Sequence, residues 1–415
     1  MVINNAVLAV SDLATDYDSE HNSLEMRLLC ESAGVTVLDE YHFKRRNPDP
    51  ESYMGSGNAE SLKWLCAELG ADLVIFSEDL SPNQIRYLEN VTDTRVVDRT
   101  QLILDIFALR AHSNEGKLQV ELAQLQYLLP RLTGKGVEMS RISGGAGVAA
   151  RGPGETKLET DRRRIRQRIG ALKKKIADIS DKRSVSSQQR KGLHIPSACL
   201  VGYTSAGKST LINLLSGSLV LTDQMLFSTL DNTCRRASVP GGSDFLITDT
   251  VGFISRLPYS VIAAFRATIS EALDCDFLIH VADASDRAFS HHIQSVRDIL
   301  ADMGAGDKPV ITVFNKWDLV QDKDFVLRLR DRTPDSVVIS AETGYGLDEL
   351  YLRITDTINA LFVPVRVLIP YECGKMLSLL HSKGLVSREE HLDYGTYAEA
   401  RLPRSVATVF QDYQV

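Results

Sequence analysis

The sequence predicts an α/β protein with a parallel-rich sheet, and three observations predict it. Short apolar runs alternate with amphipathic stretches over residues 1–112 and again from 197 onward, the pattern of strand–helix units. Several of the later runs end abruptly in short polar motifs, at Gly202, Asp249, Asn315 and Ser340. Ligand-bearing residues of such sheets lie at the carboxyl ends of the strands, so motifs in those places are what the fold requires. Between the two stretches, from Gly116 to Ile179, the strand signal gives way to leucines and isoleucines spaced by three and four, which reads as helix.

The length of 415 residues exceeds one ordinary core and implies about two to four domains. Boundaries are expected as 1–114, a small α/β subdomain; 115–192, a helical hairpin; 193–363, the motif-bearing α/β domain; and 364–415, a small α+β appendage. Hydrophobic residues make up 44% and charged residues 24%, an ordinary globular balance. The net charge of −7 argues against a generally basic nucleic-acid binder and leaves room for a local basic patch. Six cysteines are scattered without a C-x-x-C pair, which fits reduced thiols and a cytoplasmic location better than disulfides or a zinc site. The first twenty residues have no basic leader region, and no stretch is long and apolar enough to span a bilayer, so no membrane span is expected. A monomer is expected.

In the first region, strands are expected at 6–10, 35–41, 72–76 and 95–97, with helices at 21–33, 59–69, 82–90 and 101–112. "GSGN" at 55–58 precedes a helix; two glycines there read as a bare turn sooner than as an anion site.

In the middle region, Leu118, Leu122, Leu125, Leu129 and Leu132 form one stripe. Leu158, Ile165, Ile169, Leu172, Ile176 and Ile179 form another. Two such stripes around a glycine-rich loop predict an antiparallel hairpin, with Thr156 and Glu159 as a capping box for the second arm. The loop between them is too long for a mere turn and reads as functional or disordered. From Arg162 to Lys175 every charged residue is basic, and nearby acids that would pair with the run are expected to be absent. Such a run is most often a solvated face; on an acidic protein it also suits docking to a phosphate backbone. Residues 180–192, polar and serine-rich, read as a linker or frayed end.

"PSACLVGYTSAGKSTLINLL" carries the strongest signal. An apolar strand enters Gly202, Tyr203, Thr204, Ser205, Ala206, Gly207, Lys208 and Ser209, the G-x-x-x-x-G-K-S phosphate loop, and a helix follows. The glycines let the backbone curl so that its N–H groups face a phosphate. Lys208 reaches the outer phosphates and the Ser209 hydroxyl ligates Mg²⁺. A second strand ends in Asp249, Thr250, Val251 and Gly252, a D-x-x-G turn. Its carboxylate suits the Mg²⁺ shell and its Gly252 N–H suits a γ-phosphate, so Lys208 and Gly252 are the expected catalytic positions. Asn315, Lys316, Trp317 and Asp318 form N-K-x-D, in which a carboxylate accepts from guanine N1–H and the 2-amine. Adenine has no donors there, and an unpaired buried acceptor costs about 1–3 kcal/mol, so guanine is favoured roughly tenfold or more. Lys316 has an aliphatic stem suited to cover the base. Ser340, Ala341 and Glu342 offer backbone N–H groups to guanine O6. The segment between the phosphate-loop helix and Asp249 holds Thr229 and Thr233, either of which could close on Mg²⁺. Where a glutamine commonly orients the attacking water, the chain has Phe253.

The fold class is therefore α/β: a P-loop GTPase domain with a parallel-rich sheet, preceded by a small α/β subdomain and an antiparallel helical hairpin. The segment 364–415 adds a strand at 365–369, a short helix at 377–381 and an alternating stretch at 391–402, a small α+β appendage.

From about residue 30 to 365 the chain resembles the HflX-type GTPases of the Obg/HflX group. The resemblance rests on "DRTQLILDIFALRAHSNEGKLQVELAQLQYLLPRL", "RGPGETKLETDRR" and "FSTLDNTCRR" beside the nucleotide motifs. It implies that Phe227, Ser228, Thr229, Leu230 and Asp231 form the switch that closes on the nucleotide, with Thr229 as the second Mg²⁺ ligand. It implies GTP as substrate with ATP also admitted, and the ribosome, chiefly its large subunit and ribosomal RNA, as partner. The activity it implies is splitting or rescue of stalled ribosomes under stress; subunit assembly and nucleotide-timed anti-association are the alternative readings. The chain departs from the family at Val148, Ala149 and Ala150, extra residues in the hairpin tip, and at Ser205, where relatives commonly carry asparagine. Several families of the group have an apolar residue at the Phe253 position, which implies slow intrinsic hydrolysis completed by a partner.

Overall fold

A computed structural model describes residues 5–12, 16–44, 47–132, 153–191, 195–217, 234–240, 244–250, 252–254 and 274–415. The chain divides into two compact units; of the described residues, those up to Asp178 belong to the first and those from Ile179 to the second.

The first unit opens with β1 (Asn5–Asp12), α1 (Asp16–Ser32), β2 (Thr36–Lys44), α2 (Ser56–Leu69), β3 (Leu73–Phe76), α3 (Pro82–Thr92), β4 (Arg95–Val97) and α4 (Arg99–Arg110). Each overlaps the element expected from the apolar runs. The strands pair in the order β2-β1-β3-β4, all parallel. Val7, Ala9, Val74 and Phe76 pack with Ala59, Leu62 and Cys66 of α2 to form its core. Residues 55–58 make a knitted helix start: the Gly55 amide donates to Ser52 Oγ at 2.8 Å and Asn58 Nδ2 donates to Met54 O at 2.7 Å.

α5 (Asn114–Arg131) and α6 (Pro153–Lys191) form the hairpin arms. Leu118, Leu122 and Leu125 meet Ile169, Leu172 and Ile176, so the two stripes close on each other as their spacing requires. The loop 133–152, with Val148 to Ala150, lies outside the described residues, as does the side chain of Thr156 that would cap the second arm. Two expectations change. Residues 180–191 are not a linker but the last turns of α6, because neither glycine nor proline occurs between Gly170 and Gly192 to stop the helix. The basic strip is also not free of acids: Arg164 lies 3.9 Å from Asp161, and Arg168 makes a two-pronged pair with Glu121 of α5, Nε–Oε1 2.6 Å and Nη2–Oε2 2.8 Å. That partner lies 47 residues away and was invisible to local reading. Arg163, Arg164, Arg166, Lys173, Lys174 and Lys175 remain exposed.

The hairpin's first arm is tied to the sheet by one buried carboxylate. Asp98 caps α4 by accepting from the Gln101 amide at 2.9 Å, and accepts from Tyr127 Oη at 2.7 Å, Arg131 Nη2 at 2.9 Å and the Leu80 amide at 3.2 Å. The Arg131 guanidinium lies 3.4 Å over the Tyr127 ring.

The second unit contains β5 (Ser197–Gly202), α7 (Lys208–Ser216), β6 (Cys234–Ser238), β7 (Asp244–Asp249), β8 (Phe277–Asp283), α8 (Phe289–Asp302), β9 (Val310–Asn315), α9 (Lys323–Arg332), β10 (Ser336–Val338) and α10 (Leu347–Leu361). The sheet runs β10-β9-β8-β5-β7-β6, parallel except for β6 against β7. β5 is central and buried on both faces, as an unbroken apolar run predicts. A separate antiparallel sheet follows from β11 (Phe362–Ile369), β12 (Leu385–Leu392) and β13 (Gly395–Pro403), in the order β11-β13-β12, packed against α11 (Gly374–Lys383) and Phe410. The alternating stretch 391–402 proves to be the end of one strand, a turn at Asp393 and Tyr394, and most of the next. A two-residue turn preserves the period of two, so the alternation ran on through it.

His280 lies in β8, 1% exposed, with no partner for Nδ1 among the described residues. Burial, with Arg297 and Lys208 nearby, pulls its imidazolium down to about 3. The unfolded chain therefore binds a proton that the folded chain refuses, and stability falls as pH drops below the ordinary histidine value. Between pH 6.5 and 5.5 this costs about 1 kcal/mol. Denaturant unfolding of His280→Leu at those two pH values should show that much less acid sensitivity than wild type; equal sensitivity would refute the assignment.

Candidate active site

The phosphate loop leaves the carboxyl end of β5 and re-enters helix at α7, with Gly207 as the capping residue. Gly207 has φ 92°, and a Cβ there would stand 2.2 Å from Asn315 Nδ2, so glycine is required twice over. Tyr203, Thr204 and Ala206 are buried and Ser205 is exposed. The Tyr203 ring stacks on His292 of α8, centroids 3.8 Å apart. Lys208 folds back under the loop: its Nζ donates to Gly202 O at 3.1 Å and Tyr203 O at 2.8 Å. Burial pushes this ammonium down to about 8, while Asp249 pulls the other way.

Asp249 ends β7, 2% exposed, and accepts from Ser209 Oγ at 3.4 Å. A hydroxyl and a carboxylate side by side are hard oxygen donors of the kind Mg²⁺ takes, few in number because substrate phosphates and water complete its shell. The Thr250 hydroxyl is turned away, donating to Leu200 O at 2.6 Å. Gly252 is pressed into the loop: a Cβ there would lie 2.8 Å from Thr204 Cγ2 and 3.1 Å from Lys208 Nζ. Phe253 continues the ladder. Its N–H donates to Gly202 O at 3.0 Å and its C=O accepts from the Thr204 amide at 2.7 Å, while the residue is 3% exposed. Phe227, Ser228, Thr229, Leu230, Asp231 and Val251 lie outside the described residues.

Asn315 ends β9 and bonds in two directions: Nδ2 donates to Ala206 O at 2.9 Å, and Oδ1 accepts from the Ala341 amide at 3.0 Å. Lys316 follows in a left-handed conformation, φ 63°. Its ammonium pairs with Asp283 Oδ2 at 2.6 Å. Trp317 stacks with Tyr345, centroids 6.2 Å apart, and Asp318 is exposed. The three amides expected to face guanine O6 are not equivalent. Ser340 N–H donates to Tyr345 O at 3.0 Å and Ala341 N–H is engaged by Asn315, which leaves the Glu342 amide without a partner among the described residues. Local reading missed Asp283, the His292 stack and the backbone role of Phe253. Only Asp283 carried a signal, a carboxylate at the end of an apolar run.

The sheet order and the motifs at the ends of β5, β7 and β9 are those of a P-loop GTPase domain. Comparison with known proteins narrows the class. Residues 197–316 match the family described as 50S ribosome-binding GTPase, residues 20–108 the GTP-binding GTPase N-terminal family, and residues 110–190 the GTP-binding GTPase middle region. GTPase HflX of Lacrimispora saccharolytica is 42% identical over 414 residues, covering 99% of this chain and 96% of the relative. GTPase HflX of Escherichia coli is 38% identical, covering 96% and 93%. A crystal structure of SsGBP with GDP aligns at a TM-score of 0.50 and 27% identity, over 86% of this chain and 99% of that one. The chain belongs to the HflX GTPase family and is a GTP-hydrolysing enzyme.

Asn315→Ala should cost the second unit about 2–4 kcal/mol, since Ala206 O and the Ala341 amide both lose their partner. It should also weaken GDP binding, because two loops lose their common joint. Denaturant unfolding with a parallel GDP titration checks this, and wild-type values in both would show that the joint carries no weight.

Proposed function

We propose that this GTPase is a ribosome-associated factor of the cytoplasm that acts on the large subunit, splitting or rescuing stalled ribosomes under stress. The observation that carries the reading is the row of exposed arginines and lysines on α6, outside the nucleotide domain of an acidic chain. Its spacing suits a phosphate backbone, and the match to a ribosome-binding GTPase family supports ribosomal RNA as that backbone. The first two expected domains then form the docking device and the nucleotide state sets its engagement.

In the site, Ser209 and Asp249 would hold Mg²⁺, with Thr229 assigned by resemblance. When bound, the ion neutralises charge on the β- and γ-phosphate oxygens. Lys208, already fixed by two carbonyls, presents its ammonium to the same oxygens. The Gly252 amide reaches a γ-phosphate because no side chain intervenes. Asp318 reads guanine, with Lys316 as a wall of the pocket and the Glu342 amide for O6. ATP is admitted more weakly. Phe253 cannot orient water, so a partner completes the site. The reading is tested by GTP turnover with and without purified large subunits, and by sedimentation of ribosomes with GTP or a non-hydrolysable analogue. Stimulated turnover and splitting only with GTP are expected; splitting by the analogue would turn the reading into an anti-association factor.

Neutralising Arg163, Arg164, Arg166, Lys173, Lys174 and Lys175 together should weaken large-subunit binding roughly tenfold or more and flatten its salt dependence, with GDP affinity unchanged. Co-sedimentation at two salt concentrations measures it. A variant that binds as wild type would leave only a solvated face.

Phe253→Gln should not create a fast free GTPase. The glutamine would enter a buried position and cost about 1–3 kcal/mol of local stability. Single-turnover GTP cleavage should show little change alone and a loss of stimulation with large subunits. A large rise in the unstimulated rate would mean that the missing side chain was the sole obstacle.

A further inference from the structure

Asp283 is the last residue of β8 and the register partner of Asn315 on β9. Both its oxygens are committed. Oδ1 accepts from the Ser285 amide at 3.0 Å and the Ser285 hydroxyl at 2.6 Å, which fixes the carboxylate's orientation. Oδ2 takes the Lys316 ammonium at 2.6 Å. The backbone makes a second clasp between the same two strand ends, Ala284 N–H donating to Asn315 O at 2.9 Å. Lys316 is thus held at both ends. Its backbone sits at φ 63° and ψ 36°, a conformation that side-chain-bearing residues adopt only when their surroundings impose it, and its head is pinned by a pre-oriented carboxylate.

The ion pair is partly exposed, 30% on the lysine side and 19% on the aspartate side. Pairs in such surroundings contribute little to folding stability. What this one changes is freedom. An unanchored lysine stem samples many rotamers and must be ordered when a ligand packs on it, and ordering a long side chain weakens binding. We propose that Asp283 is a positioning residue of the base pocket: by anchoring the Lys316 ammonium, it holds the aliphatic stem as a preformed wall for the guanine ring. This rests on the reading of Asn315 to Asp318 as the base-recognition motif. In this role Asp283 acts through Lys316 and needs no contact of its own with the nucleotide.

The test uses the full-length protein and GDP, whose binding involves the base without turnover. Equilibrium affinities are compared for wild type, Asp283→Ala, Lys316→Ala and the double variant. Asp283→Ala should weaken GDP binding roughly three- to tenfold. The double variant should bind no more weakly than Lys316→Ala, because an anchor has no effect once the stem is gone. Asp283→Asn keeps the size and the Ser285 contacts but drops the charge, and should fall between wild type and Asp283→Ala. It carries the same comparison if the alanine variant unfolds. Wild-type affinity in the Asp283 variants overturns the proposal. So do losses that add in the double variant, since they would mark Asp283 as a loop-structure residue. Wild-type affinity in Lys316→Ala would overturn the base-pocket reading, and the Asp283 proposal with it.

Discussion

Two hydrogen bonds from one buried amide set the geometry on which the nucleotide domain depends. Asn315 donates to Ala206 O of the phosphate loop and accepts from the Ala341 amide in the loop after β10. Aspartate would lose the donor, and glutamine would move both groups by a methylene; only asparagine has a donor and an acceptor at this distance from the strand end. The loop it grips is shaped for it, since any side chain at Gly207 would collide with the amide nitrogen. Gly207 and Asn315 are therefore one device split between two motifs. Lys208 inherits its position from that device, as the first residue of the helix after Gly207, with its ammonium tucked under the loop's own carbonyls.

The first unit has a counterpart in Asp98. Burial raises its carboxyl, while four donors and the nearby Arg131 charge favour the ionised form. Those donors come from α4, from the loop before α3 and from two places on α5, so one side chain welds the hairpin's first arm to the parallel sheet. The cation stacked on Tyr127 is the same Arg131 that pairs with Asp98, and this fixes α5 in its last turn.

Much of this was legible because it was local. The strand at 95–97 appears with those bounds, the leucine stripes close as their spacing demands, and the nucleotide motifs stand at strand ends. Each of these rests on a period or a run within a short window of sequence. The failures share the opposite property. Glu121 reaches Arg168 across 47 positions, and Asn315 takes the Ala341 amide across 26. Asp283 meets Lys316 only because β8 and β9 are neighbours in a sheet whose order is not written in any one segment. The helical run to Lys191 was missed for another reason: polar composition suggested a linker, while the absence of glycine and proline decided the backbone.

Phe253 joins both lessons. Its side chain was legible as unable to orient water, but its backbone was not legible at all. The structure uses that backbone to extend the β5–β7 pairing past the D-x-x-G turn, with Gly202 and Thr204 as partners. A residue locked by both its N–H and its C=O, and buried at 3% exposure, has its side-chain direction set by the ladder. The phenyl ring fits that place because it gains from burial, whereas an amide would have to be desolvated there. The same ladder sets Gly252 against Thr204 and the Lys208 ammonium so closely that no side chain would fit between them. The position that in other GTPases reaches for water serves here to hold the turn against the loop. Hydrolysis in such a site needs its water oriented by a group other than the side chain at this position.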